Sequence, residues 1–213
     1  VTMWGTIWNM TEKKKYSISH PDLYPRVAIL DGSLTSTLPL DISIITVMDA
    51  ISHSLEAIWN KNSNPTSTKY ATDAIIMILK YVDAMKKNPD DVKIRNKILI
   101  AANKAGLAFS NTQTAAAHSI SYPLTQLFGI PHGIASSISL IPLLKINLEK
   151  IQNEINNLLE LICVNNVDEL IQKIEDVPSG IIKYSLKEWG IHYSDFGKII
   201  PKCFTANRMD NNI

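Results

Sequence analysis

From about residue 40 onward, apolar residues recur three and four positions apart, interrupted only by short polar or Pro- and Gly-containing segments. That spacing puts apolar side chains on one face of a helix, and a succession of such helices buries those faces against one another. The segments read as helices over 41–60, 66–87, 91–110, 113–127, 132–148, 150–162, 167–174, 178–188 and 194–200. Asp41 after Pro39-Leu40, then Ser67 or Thr68, then the break at Asn88-Pro89-Asp90-Asp91 supply start signals. Gly129-Ile130-Pro131 reads as a loop that turns into a helix at His132. Residues 1–8 and 26–30 are short, apolar and rich in β-branched or aromatic side chains, and they read as strands. The expected fold is therefore mainly α, with a few strands at its start.

With 213 residues, of which 46% are hydrophobic and 19% charged, the chain can bury one sizeable core. A formal net charge of +1 gives no surplus for nucleic acid or an anionic membrane; the one dense basic run, Lys13-Lys14-Lys15, reads as a solvated turn. Cys163 and Cys203 have no paired spacing, which fits a reducing cytoplasm and neither a disulfide framework nor a thiolate metal site. The apolar stretch from Ile134 to Ile146 is too short to span a bilayer, and no export signal opens the chain. The opening Val1-Thr2-Met3-Trp4 and the close at Asn211-Asn212-Ile213 both read as mid-sequence, so a piece of a longer protein is expected.

Four residues suggest chemistry. Asp49 and His53 stand four apart within a helical segment, so both project from one face and can share an ion; the same spacing also serves an ordinary helix ion pair. His118 lies in a stretch of small and apolar residues, and His132 follows across a helix, a loop and a new helix start, a path able to return the second histidine to the first. Either alone reads equally as a hydrogen-bonded core histidine. Three imidazoles with one carboxylate suit a divalent transition ion such as Fe²⁺ or Zn²⁺, whereas Ca²⁺ and Mg²⁺ prefer all-oxygen shells.

The order Asp49-x3-His53, a long helical interval, then His118-x13-His132 within Pro131-His132-Gly133 resembles the ligand set of the iron-containing (group III) alcohol dehydrogenases. Met48 to Ala57 (MDAISHSLEA) is similar to that family's MDALTHALEA, and Ala105 to Asn111 (AGLAFSN) to its AGMAFSN. Val1-Thr2 is similar to the end of its GTGSEVT, and Pro21 to Pro39 to its SPELTPDVAIVDPELTLTLP. The resemblance covers most of residues 1–140.

It implies a multi-helical, dehydroquinate synthase-like metal-binding domain over 39–213, preceded in 1–38 by the last strands of an incomplete Rossmann-like domain. It also implies NAD(P)H as cofactor, a small aldehyde or primary alcohol as substrate, a homo-oligomer, and metal ligands Asp49, His53, His118 and His132. Lys15 and Leu34 match positions beside the nucleotide. Tyr122 stands where many members carry a second histidine four residues after the first ligand. A phenol has a reference pKa near 10, so it hydrogen-bonds to substrate more readily than it shuttles protons. His118-Ser119-Ile120-Ser121-Tyr122-Pro123-Leu124-Thr125 resembles the phosphonoacetaldehyde reductase branch, for which Arg208 is the candidate anchor of a phosphonate. Two alternatives accompany this reading: the related glycerol dehydrogenase and dehydroquinate synthase branch, whose zinc site has fewer protein ligands, and a non-catalytic metal-binding or assembly domain without its cofactor-binding half.

Overall fold

The computed structural model describes residues 2–9, 11, 14–204 and 208–213; Val1 and Lys13 therefore lie outside the described residues. Strands β1 (Trp4–Asn9) and β2 (Lys14–Ser19) pair antiparallel, with Trp4 opposite Ser19 and Asn9 opposite Lys14. Short 3-10 turns at Pro21–Leu23 and Gly32–Thr35 lead to the helical body. That body comprises α1 (Leu40–Ile58), α2 (Pro65–Lys87), α3 (Val92–Thr112), α4 (Ala116–Phe128), α5 (His132–Ser137), α6 (Leu140–Asn147), α7 (Gln152–Leu161), α8 (Val167–Asp176) and α9 (Phe196–Cys203).

Helix α1 is the axis of the fold. Its Ile44, Met48, Ile51 and Leu55 are wholly buried, and so are Ser52, Ser54 and Glu56 on other faces. A helix covered on nearly every side belongs inside the domain, and α2, α3 and α5 surround it. Burying each of these large aliphatic side chains contributes about 1.5–3 kcal/mol.

Caps fix where the neighbouring helices begin. Asn64 accepts from the Thr66 and Ser67 amides with Pro65 in the first turn, so α2 starts just before the expected Ser67 or Thr68. Asp91 caps α3 by accepting from the Lys93 and Ile94 amides. Asp41, by contrast, lies inside the first turn of α1, where a negative charge complements the helix dipole. Buried Arg95 donates to the Pro89 carbonyl at 2.5 Å, Ser43 Oγ at 2.6 Å and the Leu38 carbonyl at 2.8 Å, tying the start of α1 to α3 and the turn before it.

Several elements differ from the sequence expectation. Residues 26–30 join no sheet: Val27 and Ile29 are 76% and 88% exposed, and an apolar run becomes a strand only when a neighbour supplies its hydrogen bonds. Polar β2 pairs with β1 instead. The expected helix over 178–188 is a series of turns, because Gly180 adopts φ 73° and Glu188 Oε2 accepts the amides of Tyr184 and Ser185. The segment 132–148 breaks at Ile138-Ser139 into α5 and α6. Gln113, at φ 65°, ends α3 and keeps 113–115 out of α4. Both cysteines are free, Cys163 exposed and Cys203 buried. Among the described residues, no helix is long and apolar enough to cross a membrane.

Candidate metal centre

Asp49, His53 and Glu56 occupy one face of α1, at spacings of four and three residues. Helix α4 brings His118 to that face, and α5 opens on His132. Asp49 Oδ1 lies 3.5 Å from His118 Nε2 and 3.8 Å from His132 Nε2. One donor atom from each of Asp49, His118 and His132 falls within 4.8 Å of the other two.

His53 stands beside this trio rather than within it. Its Nδ1 is 3.8 Å from Asp49 Oδ2, and its ring lies 4.4 Å from that of His118. On the other side it stacks on Phe109 of α3, with centroids 4.2 Å apart and planes at 19°. The AGLAFSN segment thus supplies a wall that fixes the His53 ring.

Further side chains hold the group in place. Ser136 Oγ donates to Asp49 Oδ1 at 3.0 Å, which orients the carboxylate. Glu56, fully buried, places Oε2 2.6 Å from His118 Nδ1 and accepts the His118 backbone amide on Oε1 at 3.1 Å. Neither Ser136 nor Glu56 stood out in the sequence. An acidic residue seven positions after Asp49, within an otherwise apolar stretch, was the available signal for Glu56.

Burial rises inward. The His132 side chain is 45% exposed and that of His118 only 3%, so the cluster opens to solvent on the His132 side. Burial drives the His53 pKa down to about 4 against the pull of Asp49, leaving a neutral imidazole with a lone pair at neutral pH. For Asp49, burial favours the neutral acid, but the charges of His53, His118 and His132 prevail and hold it far below the usual carboxylate range. Burial likewise opposes charge on His118, yet the adjacent Glu56 carboxylate outweighs it and lifts the ion-free imidazole to about 9.

The donor set fits a divalent transition ion. His118 Nε2 is buried and makes no hydrogen bond, although it faces the Asp49 carboxylate. Imidazole nitrogens with a carboxylate match iron or zinc in ligand type.

The other expected site residues distribute unevenly. Tyr122 is one turn beyond His118 on α4, half-buried, with the Arg208 guanidinium carbon 5.1 Å from its ring centroid. Burial raises the Tyr122 phenol pKa, and Arg208 opposes the rise. Arg208 also donates to Thr114 Oγ1 at 3.0 Å, in the turn leading into α4. Leu34 lies in the Gly32–Thr35 turn, 82% exposed. Lys15 is on β2 opposite Trp8, and its side chain lies outside the described residues.

Known proteins share this fold. A profile described as Fe-containing alcohol dehydrogenase family, C-terminal, matches residues 43–213. The chain is 31% identical to a phosphonoacetaldehyde reductase of Streptomyces viridochromogenes over 68% of its length, spanning 37% of that protein. It is 32% identical to an NADPH-dependent butanol dehydrogenase of Clostridium saccharobutylicum over 92% of its length and 52% of the relative's. A crystal structure of sulfoacetaldehyde reductase from Bifidobacterium kashiwanohense in complex with NAD+ superimposes with a TM-score of 0.91 at 28% identity, covering all of this chain and 57% of that one. The fold defines a mainly helical domain of the iron-containing dehydrogenase type. The chain belongs to the Fe-containing alcohol dehydrogenase family, of which it represents the C-terminal domain.

Proposed function

We propose that this chain is the metal-binding part of an NAD(P)H-linked reductase of a small aldehyde, with Asp49, His53, His118 and His132 holding Fe²⁺ or Zn²⁺. The observation that carries the reading is the convergence of Asp49, His118 and His132 with the His53 ring alongside. A bound divalent ion supplies Lewis acidity, which polarises a carbonyl and stabilises the alkoxide formed on hydride transfer. The chain's residues set up that chemistry: neutral His53 offers a lone pair, Ser136 orients Asp49, and the open His132 side admits substrate. Residues 39–213 form this domain, while 1–38 belong with the nucleotide-binding part of the whole protein, to which Lys15 and Leu34 are assigned as cofactor-binding residues. The full protein is a homo-oligomer.

An aldehyde carrying an anionic end, such as phosphonoacetaldehyde, is the proposed substrate. Arg208 offers a guanidinium fork beside Tyr122, which is one helical turn from His118, and the Tyr122 hydroxyl donates a hydrogen bond to the substrate. Two relatives support this by their names, one reducing phosphonoacetaldehyde and the other sulfoacetaldehyde.

The test is NADH and NADPH oxidation by this chain joined to a complete Rossmann-like domain, with phosphonoacetaldehyde and butanal compared. Oxidation abolished by chelation is expected, with Arg208→Ala raising KM about tenfold for the anionic aldehyde alone, the loss of one charge-assisted pair. No oxidation with any aldehyde would overturn the reading.

A further inference from the structure

We infer that Glu56 is a positioning residue, which fixes the His118 imidazole with Nδ1–H on its carboxylate and the Nε2 lone pair turned toward the metal position, while capping α4 from another helix. The inference rests on the metal-binding role proposed above.

Helix α4 begins without a cap of its own. Its N-cap residue is Ala115, whose side chain has no oxygen to offer the first-turn amides. Glu56 reaches across from α1 and takes that place, accepting the backbone amide of His118 in the first turn at 3.1 Å. Its other oxygen lies 2.6 Å from His118 Nδ1.

A carboxylate accepts and does not donate, so the nitrogen facing it carries a proton. In a neutral imidazole the lone pair is then on Nε2, which is buried, makes no hydrogen bond, and faces Asp49 Oδ1 at 3.5 Å. The backbone and ring of His118 are thus held by one fully buried carboxylate, on the helix that also carries Asp49 and His53. A shift of α4 along its axis would break both contacts together. Partners of this kind on a ligating histidine set ring orientation and basicity, and losing them lowers metal affinity roughly 10–100-fold.

Glu56→Gln preserves volume but places an amide N–H against one of the two donors. Zinc affinity is measured for the wild-type chain and this variant by competition with a chromophoric chelator, folding being followed by circular dichroism. Asn64→Ala, which removes the cap of α2, serves as a control for stability loss away from the site. A zinc Kd raised roughly 10–100-fold in folded Glu56→Gln, and unchanged in Asn64→Ala, is expected. A Glu56→Gln Kd equal to wild type would overturn the inference, reduce Glu56 to a helix cap, and leave the proposed function standing. Should Glu56→Gln not fold, nitrogen-15 shifts of His118 in the zinc-loaded wild type decide: protonated Nδ1 with metal on Nε2 supports the inference, and metal on Nδ1 overturns it. Wild-type protein that binds no zinc or iron would overturn both this inference and the proposed function.

Discussion

Gly133 lies so close to Ile45 that a Cβ added to it would stand 2.0 Å from the Ile45 carbonyl oxygen. The same atom would be 3.1 Å from Asp49 Cβ. Helix α5 therefore meets α1 backbone to backbone one residue after His132, and this approach sets how far His132 stands from Asp49. Gly133→Ala must push the two helices apart, at a cost of about 2 kcal/mol or more. Thermal denaturation is expected to show a lowered Tm, and zinc titration a weakened site. An alanine variant with wild-type Tm would contradict the packing described.

Arg95 secures the other end of α1. The residue is 3% exposed, and its guanidinium donates to two carbonyls and the Ser43 hydroxyl. Arg95→Leu leaves the buried Ser43 hydroxyl and two half-buried carbonyls without this donor, and roughly 1–3 kcal/mol of stability is expected to be lost. Urea unfolding measures this; a loss below about 0.5 kcal/mol, typical of a surface substitution, would show that the three contacts contribute little.

Tyr184 gives the fold an alkaline limit. Burial pushes its phenol up to about 12, and the phenol donates to the Ser137 carbonyl at 2.8 Å, a hydrogen bond that only its protonated form can make. The unfolded chain releases this proton near pH 10 and the folded chain only near 12. The native state thus binds more protons across that interval, so the contribution is whole below pH 10 and declines as pH rises toward 12. Tyr184→Phe removes this dependence, and the stability gap between wild type and variant is expected to close over that interval. A gap independent of pH would show that the phenol is not held in its protonated form.

Much of this architecture was legible in the sequence because periodicity and caps are local. The segments read as 41–60, 66–87 and 91–110 correspond to α1, α2 and α3 within about two residues at each end. What the sequence concealed depends on distant partners. Residues 26–30 are apolar enough for a strand but find no ladder, while the polar segment Lys14–Ser19 finds one in β1. The apolar pattern of 178–188 cannot outweigh a left-handed backbone at Gly180. At the site, the resemblance named Asp49, His53, His118 and His132, and the fold brings them to one place. It does so unequally, since His53 stacks on Phe109 while the other three converge. The roles of Glu56 and Ser136 arise only when α4 and α5 close on α1, so local spacing does not reveal them.

Elemental analysis of anaerobically purified protein tests most directly whether Asp49, His53, His118 and His132 hold a metal ion. Wild type is compared with a His118→Ala, His132→Ala double variant, both confirmed folded by circular dichroism. Near-stoichiometric iron or zinc in the wild type and none in the variant is the expected result. Folded wild-type protein without metal, or a double variant that retains the wild-type amount, would contradict it.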